Sequence, residues 1–204
     1  MRRMICVLLC VALPLCVICW SSEAQAEGGV KASILIEANT MQILSSSNAE
    51  QKLPMASVTK VMLLWAEALE AGKLTLEETV KATSAVQETD GSVIWLEPGD
   101  EMTAAELLEA VIIASANDAC VALAEHTAGS EAQFVKQMNL RAKELGMSGT
   151  HYVNCVGYDD NGHYTTARDI AVVTAELMKH EVYRGWMLTW LDYLRDGEIQ
   201  LVNT

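Results

Sequence analysis

Two residue types in Pro54-Met55-Ala56-Ser57-Val58-Thr59-Lys60 could do chemistry together. On a helix, positions i and i+3 share a face, so the Ser57 hydroxyl and the Lys60 amine come within reach of each other. If Ser57 opens the helix, free backbone N–H groups and the positive end of the dipole favour negative charge near its oxygen. Lys60 is followed by Val61-Met62-Leu63-Leu64-Trp65. Apolar surroundings of that kind desolvate an ammonium, lower its pKa and leave a neutral amine to act as a base. The pair then reads as a nucleophile with its activator. Taken alone it is weak, because a helix-capping serine and a solvated lysine give the same spacing, and a random chain of this length has roughly even odds of one S-x-x-K.

A second constellation strengthens the first. In VIIASANDACVALAEH, an apolar helical run is interrupted by Ser115-Ala116-Asn117-Asp118. Small and polar side chains at such a break need partners if they are buried. A hydroxyl and a carboxamide spaced S-x-N suit a site that relays a proton and holds an amide substrate.

The elements that must position these groups follow from local signals. ASILIEANTMQIL (Ala32 to Leu44) predicts a strand, a tight turn at Glu37-Ala38-Asn39-Thr40 and a second strand, followed by a polar loop. Helix formers run from about Ser57 to Ala71, with Gly72 as the stop. Thr79 to Ala82 and Ser92 to Leu96 read as short strands, and Glu97-Pro98-Gly99-Asp100 as a turn. Thr103-x-x-Glu106 and Ser130-x-x-Gln133 are capping boxes ahead of helices, the second of which Gly146 closes. Thr166 caps a further helix, ARDIAVVTAELMKH. The segment from Met187 to Thr204 carries no final cap, and Trp186 to Leu194 reads as core rather than as a membrane-binding stripe.

Arg2 and Arg3, an uncharged apolar run from Met4 to Trp20 and the small-x-small Ala24-Gln25-Ala26 mark residues 1–26 as a removable export signal. Residues 27–204 are then one domain with a sizeable core. Four of the six cysteines fall in the signal, leaving Cys120 and Cys155. In an exported protein such a pair is either a disulfide or two buried free thiols. The formal net charge of −13 becomes more acidic by one unit when Arg2, Arg3 and Glu23 leave. So acidic a chain is a poor partner for nucleic acid or anionic lipid. The four histidines show no metal-ligand spacing, so neither a metal nor a cofactor is expected, and Asp159-Asp160-Asn161-Gly162 reads as a turn rather than a calcium loop.

Three stretches in order, PMASVTK, then GSVIWLEPGDEMTAAELLEAVIIASANDACVALAEHTAGS, then LGMSGTHYVNCVGYDDNGHYTTARDIA, resemble the low-molecular-weight penicillin-binding proteins that are serine-type D-alanyl-D-alanine carboxypeptidases. The resemblance covers Lys31 to Thr204 and implies the α/β fold shared with serine β-lactamases: an antiparallel sheet flanked by helices, with the active site between it and an all-helical region. It implies that Ser57 attacks the carbonyl between the two D-alanines of a peptidoglycan stem peptide, that Lys60 assists, that Ser115 passes a proton to the departing D-alanine and that Asn117 holds the substrate's amide. β-Lactams would acylate the same serine, and the protein would work at the outer face of the bacterial cytoplasmic membrane, in the cell wall or periplasm. The resemblance also puts Asn154-Cys155-Val156-Gly157 near Cys120, where a disulfide would brace the site.

One departure stands out. The family's third motif, Lys-Thr-Gly on a strand beside the serine, is absent from these 204 residues. On that ground the chain is expected to be the N-terminal portion of a longer enzyme, with C-terminal strands missing, an exposed edge at the Ala32–Leu44 hairpin, and any membrane association supplied from beyond Thr204. A class A β-lactamase would need a Glu-x-x-Leu-Asn segment, which does not occur between Ser130 and Thr204. An endopeptidase or transpeptidase of the same fold, and an inactive module that binds cell wall or β-lactam, remain as alternatives.

Overall fold

A computed structural model describes residues 29–60 and 63–203. The export signal read at residues 1–26 lies outside them. Among the described residues no helix is long and apolar enough to cross a membrane.

The centre of the molecule is helical. Thr103 opens α2 (Ala104–Ala114) with both halves of a capping box: its hydroxyl accepts from the Glu106 N–H at 3.2 Å, and the Glu106 carboxylate accepts from the Thr103 N–H at 2.8 Å. Next comes α3 (Asn117–Ala128), whose positions 117–124 are all buried. A helix apolar on every side belongs inside, and α3 packs between α2 and α4 (Glu131–Glu144). Ser130 caps α4 by accepting from the Gln133 N–H, and Thr166 caps α5 (Ala167–Leu177) by accepting from the Asp169 N–H. Earlier in the chain α1 (Leu63–Glu70) ends at Gly72, whose φ of +65° is the left-handed stop that a glycine provides. α6 (Val182–Met187) is a short late helix.

Among the described residues the strands form three separate antiparallel pairs: β1 (Ser33–Ile36) with β2 (Ile43–Ser47), β3 (Thr79–Lys81) with β4 (Glu101–Thr103), and β5 (Leu191–Leu194) with β6 (Ile199–Val202). β1 packs on α5, and β6 packs on α2. Leu35, Ile43 and Leu44 of the first hairpin are exposed.

Four readings need correction. A single helix from Ser57 does not form. Residues Ala56–Thr59 make a 3-10 turn, and Lys60 ends it at φ −70°, ψ 49°. Ser92–Leu96 is a loop rather than a strand, because its amides go elsewhere: the buried Asp118 carboxylate accepts from Ile94 N–H at 3.1 Å and Leu96 N–H at 2.9 Å. Trp95, between them, is pushed into left-handed backbone at φ +64° with its side chain 83% exposed. The segment from Met187 on, read as carrying no final cap, holds the β5–β6 hairpin, which Arg195-Asp196-Gly197 closes with positive φ throughout. Within Trp186 to Leu194, only Leu194 is fully buried, while Leu188 and Trp190 face solvent.

Candidate active site

The 3-10 turn carries Ser57 and Lys60. At three residues per turn, i and i+3 eclipse one another more closely than on an α-helix, and Lys60 Nζ lies 3.1 Å from Ser57 Oγ. From the other side comes Ser115, which terminates α2 in left-handed backbone (φ 56°, ψ 34°). That conformation is unusual for a residue with a β-carbon, and it turns the hydroxyl away from the helix. Ser115 Oγ also lies 3.1 Å from Lys60 Nζ. One amine therefore bridges two hydroxyls contributed by distant parts of the chain.

Lys60 is 9% exposed, and among the described residues no carboxylate pairs with it. Burial holds its pKa below the ordinary lysine value, because desolvation penalises the ammonium. Of the apolar run read behind it, Val61 and Met62 lie outside the described residues, and Trp65 is buried against Phe134, with ring centroids 4.8 Å apart. Ser57, Lys60 and Ser115 open into a cavity of about 330 Å³ also lined by Ile112, Leu177 and Met187.

Asn117 sits one step behind this wall. Its Nδ2 donates to the Asp90 carbonyl at 2.6 Å, and its buried Oδ1 has no partner. An unpaired buried acceptor is costly. The loop that Asn117 holds is held a second time by Tyr158, whose hydroxyl accepts from the Asp90 N–H at 2.8 Å. Cys120 and Cys155 do not form a disulfide here. They are free buried thiols, with Cys120 Sγ donating to the Cys155 carbonyl at 3.2 Å. The Cys120 thiol beside it, together with burial, pushes the Cys155 thiol upward, so Cys155 is not an activated nucleophile.

The partners of several supporting residues could not be read from the sequence. Asp118, Tyr158, Thr59 and His163 all act through contacts between segments far apart in sequence. Only Asp118, adjacent to Asn117 and too polar for a buried helix, gave a local sign. His163, like the other histidines, was read as having an ordinary surface or core role rather than as a metal ligand, and it is 3% exposed.

Comparison with known proteins decides the family. Residues 21–204 match the model of the peptidase family described as D-alanyl-D-alanine carboxypeptidase. The chain belongs to that family. It is 44% identical over 179 residues to D-alanyl-D-alanine carboxypeptidase DacF of Bacillus subtilis (strain 168), covering 85% of this chain and 46% of that one. It is 39% identical over 160 residues to D-alanyl-D-alanine carboxypeptidase DacC of Escherichia coli (strain K12), covering 74% and 40%. Among solved structures, penicillin binding protein 5 from Haemophilus influenzae superposes with a TM-score of 0.79 at 30% identity, over 84% of this chain and 51% of that one. The α/β fold of the penicillin-binding proteins is thus the fold of this chain. The chain spans a little under half the length of the curated relatives it matches.

Proposed function

We propose that this protein is an exported serine D-alanyl-D-alanine carboxypeptidase that shortens peptidoglycan stem peptides and is acylated by β-lactams at the same serine. The observation that carries this reading is the single Lys60 amine, buried and 3.1 Å from both Ser57 Oγ and Ser115 Oγ. Family membership supports the substrate class.

In the proposed reaction, neutral Lys60 accepts the Ser57 proton as Oγ attacks the carbonyl of the penultimate D-alanine. The bond to the terminal D-alanine breaks, and its nitrogen takes a proton through the Ser115 hydroxyl, which Lys60 resupplies. An ester on Ser57 remains. Water adds to it, the ester bond breaks, and the shortened peptide leaves as a carboxylate with the Ser57 hydroxyl restored. Asn117 Oδ1 accepts a substrate amide N–H during these steps.

The test is release of free D-alanine from a peptide ending in D-Ala-D-Ala by the full-length protein. Release should be lost in Ser57→Ala and in Lys60→Ala. Release that survives either substitution would refute the assignment. Sequencing of the mature N-terminus should begin at Glu27, and a retained Met1 would refute export by cleavage.

A further inference from the structure

The backbone immediately before Ser57 is out of the ordinary. Ala56 has φ +45°, a left-handed conformation that an alanine adopts only when its surroundings impose it. Two features impose it. Gly157, itself at φ +102°, lies so close that a β-carbon there would run into the Ala56 carbonyl carbon and oxygen. On the other side the Thr59 hydroxyl donates to that same carbonyl at 2.6 Å.

Thr59 is fully buried, and its oxygen also meets His163 Nε2 at 2.7 Å across 104 residues of sequence. The Val153 N–H donates to His163 Nδ1 at 3.0 Å, so Nδ1 is the acceptor. The neutral ring then carries its proton on Nε2 and donates it to Thr59 Oγ1, which frees the threonine's own proton for the Ala56 carbonyl. Each donor in the chain Val153, His163, Thr59 finds one acceptor. The segment bearing the histidine is also fastened to the segment before the nucleophile, through paired bonds between Leu53 and Thr165 at 2.8 and 3.0 Å.

We propose that His163 and Thr59 form a positioning relay that, with Gly157, fixes the Ala56–Ser57 peptide and so aims the Ser57 hydroxyl at Lys60. The proposal rests on Ser57 being the nucleophile. Neither residue touches the reacting atoms. Burial lowers the His163 pKa, against the opposing charges of Asp160 and Asp159, and with His151 acting in the same sense as burial. A proton added at Nδ1 would face the Val153 N–H with no acceptor between them, so the relay needs the neutral ring.

The experiment has two arms. In the first, the rate of acylation by a labelled penicillin is resolved into pre-covalent affinity and saturating rate. Thr59→Val should lower the saturating rate about 10- to 100-fold, the scale of a small misplacement of reacting groups, with affinity unchanged. Thr59→Ser, which keeps the hydroxyl, should restore the rate. His163→Phe should behave as Thr59→Val, and His163→Gln, which can keep a donor near Nε2, should fall between. Wild-type rates in both Thr59→Val and His163→Phe would overturn the relay. In the second arm, imidazole ¹⁵N spectra of the unmodified protein should show His163 protonated on Nε2 alone at neutral pH, with a ring shift in Thr59→Val. A proton on Nδ1, or an imidazolium, would overturn the relay. Wild-type protein that takes no label at Ser57 would refute the nucleophile, while the spectra still decide the relay.

Discussion

Two turns bring hydroxyls to the same amine, and they are built in opposite ways. The Ser115 turn is made by its own neighbourhood. α2 ends there and α3 begins two residues later, Ala116 and Ala119 are fully buried, and the next carboxylate along, Asp118, organises the adjoining loop. The Ser57 turn is made from a distance. Its strained Ala56 is held by Gly157, by Thr59 and through Thr59 by His163. A turn embedded in the core is a problem of packing, whereas a turn clamped by a remote segment is a problem of alignment. Damage to the first should cost stability, and damage to the second should cost chemistry more than stability.

The largest effect should come from Asp118→Ala. It leaves the buried amides of Ile94 and Leu96 without an acceptor, at about 1–3 kcal/mol each. Denaturant unfolding should record that loss, together with increased proteolysis of the 90–96 loop. Gly157→Ala should come next and look different. The new methyl must displace the Ala56 carbonyl, and an alanine at φ +102° is strained, so acylation should fall about 10- to 100-fold, alongside a stability loss of about 1–3 kcal/mol from overpacking and a further ~1–2 kcal/mol from the left-handed backbone. If the two variants lost stability and rate in the same proportion, the contrast between the turns would be wrong.

Subtler still is the dependence on pH. Burial lowers the Lys60 pKa, so the neutral amine appears below the ordinary lysine range, and the acylation rate should rise with pH through that lowered pKa. A rate that only began to rise near the ordinary lysine value would mean that Lys60 is solvated. The smallest effect lies away from the site. Burial raises Glu109 to about 7, aided by a hydrogen bond to Asp192 and by the charges of Asp192 and Glu106. The folded state therefore binds the extra proton, and stability should decline as pH rises from about 4.5 through about 7. Thermal melts of Glu109→Gln across that window should be flat by comparison.

The same division explains what could be read in the sequence. The Ser115 turn was legible because its signal is local: an apolar run, a polar interruption and a buried acid. The caps at Thr103, Ser130 and Thr166 and the stop at Gly72 are local in the same way. Ser57 and Lys60 were legible as a spacing, but the 3-10 turn and the strained Ala56 were not, because their causes lie about a hundred residues further on. Ser92–Leu96 has the composition of a strand and is denied a ladder by a side chain on another element. The β5–β6 hairpin was missed because Asp192, Arg195, Asp196 and Glu198 obscure the alternation, although Asp196-Gly197 is a turn signal. For Cys120 and Cys155 composition allowed two states, and only the packing distinguishes them.

Mass-spectrometric mapping of the protein after reaction with a labelled penicillin tests the central claim most directly. The label should sit on Ser57 alone, and should be absent from Lys60→Ala while that variant keeps its fold by circular dichroism. A label on Ser115, or undiminished labelling without Lys60, would contradict the assignment of one buried amine serving two hydroxyls.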